Sequence, residues 1–329
     1  MLLLLSVLVL PATGEPPIQL ANDIQLLGAL FAFLLGLAFG SFLNVVVSRW
    51  PNNESIVKPA SHCRNCDHVL AWWENIPLLS WILLKGRCRQ CQTRISFRYP
   101  LIELTIGLTW TVIWIRYGEP LVSGVFGEDF SVFRGCWGNM QTPHNGFAYC
   151  FASIIGFALL CWLLITLAAL DAEHFWLPDI LTLPGTGLGF AFTLLRDWAG
   201  STFTHHFDLF QATLTCFVSV LAAAAIVLII RLAYWLIRRK EGMGLGDAKL
   251  MAMLGAWLGF AGALETFVIA VFSASAAALI WLAILAIRRN SKEWAKLPLP
   301  LGTFLCLAAL PEIFYPNWLW NWYARTFLP

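Results

Sequence analysis

The sequence predicts an all-α integral membrane protein with about eight transmembrane helices. Of its 329 residues, 59% are hydrophobic and only 12% are charged, whereas soluble domains carry about 25% charged residues. A helix needs about 20 mainly apolar residues to cross the hydrocarbon core of a bilayer, and runs of this kind recur along the chain. The predicted spans cover residues 26–47, 100–116, 148–170, 180–197, 209–235, 249–264, 266–287 and 299–316.

The distribution of positive charge predicts the orientation of these helices, because Lys and Arg are retained on the cytoplasmic side. With the N-terminus outside, the cytoplasmic segments 48–99, 171–179, 231–249 and 288–298 hold 17 of the 21 Lys and Arg residues. The opposite topology would place this excess outside and is rejected. The net charge of +2 therefore reflects membrane topology and gives no indication of nucleic-acid binding.

Two Cys-x2-Cys pairs lie in the cytoplasmic segment between the first two spans: Cys63 and Cys66 in "CRNC", and Cys88 and Cys91 in "CRQC". Four thiolates can close a tetrahedron around one zinc ion, and the 21 residues between the pairs are one more than the usual window. Two disulfides are the alternative, but the cytoplasm keeps thiols reduced. Because four sulfur ligands leave no open coordination position, we expect a structural zinc site.

These features divide the chain into four parts. Residues 1–25 form an N-terminal extension to which no role is assigned, since its apolar start is too short to cross a bilayer and no basic residue precedes it. Residues 26–49 form the first transmembrane helix, and residues 50–99 a cytoplasmic zinc-binding domain. Residues 100–329 form a polytopic membrane domain, with an outside loop at 117–147 whose role the sequence does not indicate.

Two aspartates are predicted to meet at the cytoplasmic face. Asp171 ends the third span, Asp247 lies in "GMGLGDAKL", and two membrane crossings between them return the chain to the same side. An ionisable residue at a membrane boundary is costly and marks a functional candidate, although a helix cap is the alternative for either residue alone. Two facing carboxyl groups can share a proton, so that one activates a water while the other protonates a carbonyl. The pair predicts aspartic peptide hydrolysis.

The residues around Asp247 support this interpretation. Gly244 and Gly246 are expected to allow close backbone approach and positive φ, so that Asp247 is aimed at a peptide. A dinucleotide-binding loop would need a preceding strand and G-x-G-x-x-G spacing; here a basic helix end precedes G-x-G-x-G-D, and nucleotide binding is rejected. Lys249 is expected to pair with an acid at the site or to extend towards the lipid headgroups.

Several stretches, in this order, resemble the type IV prepilin leader peptidase/N-methyltransferase family. They are "GSFLNVVVSRWP" (40–51), both cysteine pairs, "ENIPLLSWILLKGRCRQC" (74–91), "ISFRYPLIEL" (95–104), "DAEHFWLPD" (171–179) and "GMGLGDAKL" (242–250). The resemblance implies an aspartic endopeptidase of the bacterial inner membrane that cleaves the basic leader from type IV prepilins and pilin-like secretion proteins on the cytoplasmic side. The catalytic pair of the family carries over to Asp171 and Asp247.

The resemblance also implies methylation of the new N-terminal amine with S-adenosylmethionine as donor, although the chain contains no readable methyltransferase glycine loop. Glu173 stands where many relatives have Asp. The segment 171–179 has three acids and no Lys or Arg, so we expect Asp171, Glu173 and Asp179, with Glu241 nearby, to attract the basic leader. The segment 48–99 holds eight Lys or Arg against three acids, which favours contact with anionic membrane lipid.

Two other functions remain open on the sequence. One is a different G-x-G-D intramembrane aspartyl protease that cuts within a helix; the paired cysteines and the "GSFLN" stretch argue against it. The other is a non-enzymatic, zinc-dependent membrane scaffold or transporter in which Asp171 and Asp247 relay protons. Mapping the cleaved bond would separate the first from a leader peptidase, and ion flux without cleavage would favour the second.

Overall fold

The computed structural model describes residues 18–126, 146–201, 207–239, 244–287 and 300–327. Within these ranges the chain is mostly helical and forms no strand, only two isolated β-bridges in the irregular segment between the first two long helices. Residues 1–17 of the N-terminal extension, most of the outside loop and Glu241 lie outside the described residues. The helices are α1 (Ile18–Arg49), α2 (Leu79–Leu83), α3 (Arg98–Phe126), α4 (Gly146–His174), α5 (Asp179–Gly200), α6 (Leu209–Arg238), α7 (Leu245–Ile287), α8 (Leu301–Phe314) and α9 (Trp318–Phe327).

Four segments of the described chain are helical, long and apolar enough to cross a membrane, as expected of a multi-pass membrane protein. They are Asp23–Asn52, Ala148–His174, Leu209–Arg238 and Leu245–Ile284, and Leu301–Phe314 is a shorter apolar helix. The predicted spans 100–116 and 180–197 also lie within helices, α3 and α5. Threonines and charged residues distributed along these two helices reduce their hydropathy.

Helix boundaries differ from the prediction in two places. Helix α3 continues to Phe126, ten residues past the predicted end of its span. Helix α7 is interrupted at Gly259, whose φ of 72° and ψ of 176° are not helical, whereas the sequence predicted the break near residue 265. Glycine adopts this positive φ without the steric penalty that a Cβ would bring, so a glycine inside an apolar run marks the break.

The chain divides into two compact units: Met1–Trp162 with Leu195–Phe207, and Leu163–Leu194 with Asp208–Pro329. In the first unit, α1 and α3 pack antiparallel through glycines. A Cβ on Gly36 would come within 2.9 Å of the Gly107 Cα, and one on Gly40 within 2.7 Å of the Glu103 Cα. Small residues at this spacing let two membrane helices approach closely.

In the second unit, α7 packs against α5 and α6. The Trp257 indole lies against Gly189 and donates a 2.8 Å hydrogen bond to the Gly185 carbonyl. On the α6 side, a Cβ on Gly255 would come within 2.7 Å of the Ser219 carbonyl oxygen. These contacts fix the start of α7, and with it Asp247, relative to the start of α5.

Candidate active site and metal centre

The four paired cysteines converge in the first unit. The Sγ atoms of Cys63, Cys66, Cys88 and Cys91 all lie within 4.8 Å of one another. Two of the separations are 3.7 Å, between Cys63 and Cys91, and 3.9 Å, between Cys66 and Cys88. Four sulfurs bound about 2.3 Å from one tetrahedral ion are ~3.8 Å apart. The donor set therefore fits a four-coordinate metal site, and none of the four cysteines forms a disulfide.

The two cysteine pairs adopt the same local conformation, which is why they can face one ion. In the first, the Cys63 N–H donates to the His68 carbonyl; in the second, the Cys88 N–H donates to the Thr93 carbonyl, both at 2.9 Å. Hydrogen bonds with the side chain and backbone of Thr93 lower the pKa of Cys91 to about 5, whereas at Cys66 a hydrogen bond with the His68 backbone is outweighed by burial and the neighbouring thiols, which raise the pKa of Cys66 to about 12. A thiolate is the form in which cysteine binds a metal.

A buried glutamate, to which the sequence assigned no role, connects the two cysteine pairs. The Glu74 carboxylate accepts hydrogen bonds from the Ala71 N–H at 2.8 Å and from the His68 ring at 3.1 Å, and the Arg89 guanidinium lies 3.9 Å away. The Ala71 hydrogen bond, followed by His68, lowers the pKa of this carboxyl group. His68 follows the first pair and Arg89 lies within the second, so Glu74 holds both around the sulfur cluster.

Asp171 lies near the end of α4 and is 6% exposed. Its Oδ2 accepts a 2.7 Å hydrogen bond from the Thr303 N–H and lies 3.1 Å from the Thr303 hydroxyl. Thr303 is in the first turn of α8, where backbone N–H groups have no partner within the helix and favour negative charge. The start of α8 therefore positions the Asp171 carboxylate.

Asp247 occupies the first turn of α7 and is half-buried. Its carboxylate interacts with the Gly244 backbone and lies close enough to Asp171 for the two charges to interact. Cys306, fully buried in α8, is close enough to interact with both charges. The structure thus brings together two carboxyl groups that are 76 residues apart in the sequence.

The glycines of the site do not adopt the conformation expected from the sequence. Neither Gly244 nor Gly246 has a positive φ; Gly246 is instead a position of close packing, whereas a Cβ on the exposed Gly244 would make only ordinary contacts. A Cβ on Gly246 would come within 3.1 Å of the Leu177 Cβ, and one on Gly302 within 2.9 Å of both the Leu177 Cδ1 and the Asp171 Oδ2. Leu177 therefore packs between two glycines, one beside each aspartate.

Gly302 and Thr303 were not singled out from the sequence. The available signal was "PLPLGT" (298–303), in which prolines precede a glycine and a threonine at the start of an apolar run. Prolines and a small polar residue in these positions are typical of a helix start. Nothing in the local pattern indicates that this particular start faces Asp171.

Lys249 pairs with an acid, the first of the two alternatives expected from the sequence. Its Nζ lies 2.6 Å from Asp179 Oδ1 and 2.8 Å from Oδ2, which joins the first turns of α5 and α7. Asp179 is therefore already paired with a cation of this chain. Glu173 is exposed, and its carboxylate lies 3.9 Å from the His174 ring.

Two protein families match the chain. The Bacterial Peptidase A24 N-terminal domain matches residues 34–117, which include all four cysteines. The Type IV leader peptidase family matches residues 158–283, which include Asp171 and Asp247. No solved structure shows a significant match.

Several similar proteins carry the name "Prepilin leader peptidase/N-methyltransferase". One from Aeromonas salmonicida (strain A449) is 31% identical over 94% of this chain and 99% of its own length. One from Klebsiella pneumoniae is 35% identical over 77% of this chain and 94% of its own length. One from Myxococcus xanthus (strain DK1622) is 37% identical over 70% of this chain and 56% of its own length. The chain therefore belongs to the type IV leader peptidase family and is a peptidase, and the relatives that it matches are named as N-methyltransferases as well.

Proposed function

We propose that this protein cleaves the basic leader peptide from type IV prepilins and pilin-like secretion proteins, with Asp171 and Asp247 as the catalytic pair. The observation that supports this most directly is the convergence of the two carboxyl groups from the end of one helix and the start of another. Each lies at the polar end of an apolar helix, where the junction between a basic leader and an apolar segment would reach it.

The two carboxyl groups provide both parts of peptide hydrolysis. One, ionised, accepts a proton from a water as its oxygen attacks the scissile carbonyl carbon, while the other, protonated, donates its proton to the carbonyl oxygen. Collapse of the tetrahedral intermediate breaks the C–N bond, and the departing amine takes a proton from the pair. Thr303 fixes the orientation of Asp171 during these transfers.

We assign zinc to the four-cysteine cluster in a structural role, because all four donor positions are filled by sulfur. The remaining assignments follow the sequence and the family: eight transmembrane helices in the inner membrane, the cysteine-containing domain at 50–99 and the peptidase domain at 100–329, with the active site facing the cytoplasm. The outside loop at 117–147 has no assigned function. The second activity is methylation of the new N-terminal amine with S-adenosylmethionine, for which no residue is assigned.

The side chains nearest the pair suggest how a basic leader is attracted. Asp171 is buried and hydrogen-bonded to Thr303, and Asp179 is paired with Lys249. Among the acids expected to attract the leader, Glu173 is exposed and lies two residues from Asp171, with its carboxylate 3.9 Å from the His174 ring. We propose that Glu173 contributes to the leader contact.

The direct test is incubation of the purified protein with a prepilin and S-adenosylmethionine, followed by mass spectrometry of the product's N-terminus. We expect a product that begins at the leader junction and carries one added methyl group. A cut inside the apolar helix would support the alternative intramembrane protease. Ion flux in vesicles without any cleavage would support the transporter.

Gly302→Ala should reduce cleavage about 10- to 100-fold without loss of folded protein. The new Cβ would lie 2.9 Å from the Asp171 Oδ2, so the carboxylate must move, and small displacements of a catalytic group cost about this much. The control is Gly187→Ala in α5, where a Cβ meets no atom within 4 Å. Equal rates for the two variants would contradict the positioning role of the α8 start.

The ion pair between Lys249 and Asp179 should make a modest contribution to the cleavage rate, and the effects of removing its two members should not be additive. Lys249→Met and Asp179→Asn should each reduce the cleavage rate a few-fold, and the double variant should be no slower than the worse single one. Both side chains are partly exposed, with 37% and 57% of their surface accessible, so the coupling free energy should be about 0.2 to 1 kcal/mol. A double-mutant cycle measures it, and strictly additive losses would show that the pair does not position the site.

A further inference from the structure

The segment around the cysteine cluster begins at the charged end of α1. The Arg49 guanidinium donates hydrogen bonds to the carbonyls of Ser55 and Ala60, at 3.0 and 3.4 Å. The Arg64 guanidinium reaches back to the Ser48 carbonyl at 2.6 Å. These contacts keep residues 55–64 at the end of the helix, as expected for a domain outside the membrane.

Residues 76–82 lie elsewhere, beside the apolar middle of the same helix. Five of them, 76–79 and 82, line a groove of about 360 Å³ together with Leu34, Leu37 and Ala38 of α1. At 1.5 Å per residue, these α1 positions lie roughly 17 to 22 Å before Arg49 along the helix axis. The chain therefore folds back along α1 before it returns to the second cysteine pair.

A buried carboxylate holds this segment in place. The Leu78 N–H donates a 2.8 Å hydrogen bond to Glu103 Oε2, and Glu103 is 7% exposed in α3, against Gly40 of α1. Leu78 has a φ of 59°, an uncommon backbone conformation for a residue with a Cβ. A backbone N–H placed among apolar helices needs a protein acceptor because no water is available there, and Glu103 supplies it.

The outer surface of the segment is apolar. Leu79, Ile82 and Leu83 are 48%, 63% and 61% exposed within the described part of the chain. Leu79 and Ile82 line the same groove as Leu34, which is 56% exposed on the apolar surface of α1. That surface of α1 belongs to a helix that is long and apolar enough to cross a membrane.

Cations follow directly after this apolar surface. Lys85 and Arg87 come just after the short helix α2, and both are exposed. Basic residues at the end of a lipid-embedded segment bind the headgroups of anionic lipids. The order of apolar residues and cations therefore matches the order of acyl chain and headgroup.

We propose that residues 76–84 form a re-entrant segment, which inserts into the hydrocarbon of the leaflet on the Arg49 side and packs lipid acyl chains into the groove against α1. This differs from the sequence interpretation, which placed all of 48–99 outside the membrane. The cysteine cluster is thereby attached to the bilayer by its own connecting segment as well as by α1 and α3.

The test uses an environment-sensitive fluorescent amino acid in place of Ile82 in the full-length protein, reconstituted in vesicles without substrate. The vesicles contain phosphatidylglycerol and phosphatidylethanolamine, with or without bromine at mid-chain. Val57, 78% exposed in the segment held at the charged end of α1, is the matched control. We expect brominated lipid to quench the label at 82 several-fold while aqueous iodide leaves it bright, and the reverse at 57.

The opposite pattern, with the label at 82 quenched by iodide as fully as that at 57, would overturn the proposal. Quenching by neither agent would also overturn it, because protein would then cover the groove, whether another part of this chain, a second copy or a bound apolar helix. Cleavage activity and metal content at wild-type level verify that the labelled protein is folded. A second label at Leu79, in the same groove, must give the same result.

Discussion

Asp171→Asn and Asp247→Asn should each abolish leader cleavage while leaving the protein folded in the membrane. Each substitution keeps the size of the side chain but removes the group that exchanges a proton with water or with the substrate carbonyl. Members of one catalytic unit are not additive, so either loss alone should reduce the rate by at least about 1,000-fold. Quantitative cleavage of a purified prepilin in detergent or vesicles measures this effect.

Two further variants separate catalysis from general damage. Glu173 is exposed and lies two residues from Asp171. The Glu173→Gln variant should lose far less of the cleavage rate than either aspartate variant, and its loss should be larger for a substrate with a more basic leader. Asp197→Asn near the other end of α5 should cleave at the wild-type rate. If either catalytic variant cleaves at a near wild-type rate, the assignment of the pair is wrong.

The pH profile gives an independent check of the pair. Catalysis requires one ionised and one protonated carboxyl group, so the rate should fall when both are protonated and again when both are ionised. The expected curve of rate against pH is bell-shaped, and its two limbs belong to the pair rather than to either residue. In both aspartate variants this shape should disappear from any residual activity.

The metal centre gives the second large effect. Purified wild-type protein should contain about one zinc per chain, and replacing any of Cys63, Cys66, Cys88 or Cys91 by Ser should remove most of it and reduce the yield of folded protein. The physical reason is that a structural zinc site contributes directly to folding, by about 10 to 16 kcal/mol in small zinc-binding domains at neutral pH. Metal analysis of protein purified without chelator measures the content.

Cys216→Ser is the matched control for this experiment, since Cys216 is buried in α6 and belongs to no cluster of metal-binding side chains among the described residues. Its zinc content should equal that of the wild type. Chelation should reduce cleavage only slowly and in step with loss of structure. Immediate loss of cleavage in folded protein, reversed at once by zinc, would instead place the metal in the catalytic step.

The sequence by itself determined the class of protein, because composition and apolar run length depend only on the residues present. It also indicated the helices, since each predicted span lies largely within a helix of the structure. Five of the eight predicted spans correspond to candidate membrane spans, two of them through the single segment Leu245–Ile284, which Gly259 interrupts. Cysteine spacing predicted that the four sulfurs converge, and they do, because each pair closes its own turn through local hydrogen bonds.

Tertiary structure alone decided which distant residues meet. Thr303 contacts Asp171 across 132 residues, and Leu177 packs between Gly246 and Gly302. Neither contact could be predicted from a local sequence pattern, because the residue pattern of one helix does not indicate which other helix will pack against its end. The same holds for the Leu78–Glu103 hydrogen bond, which keeps a segment that the sequence predicts to be cytoplasmic beside the apolar part of α1. Residue types limit the chemistry that is available, whereas packing between helices determines where each group lies and what it contacts.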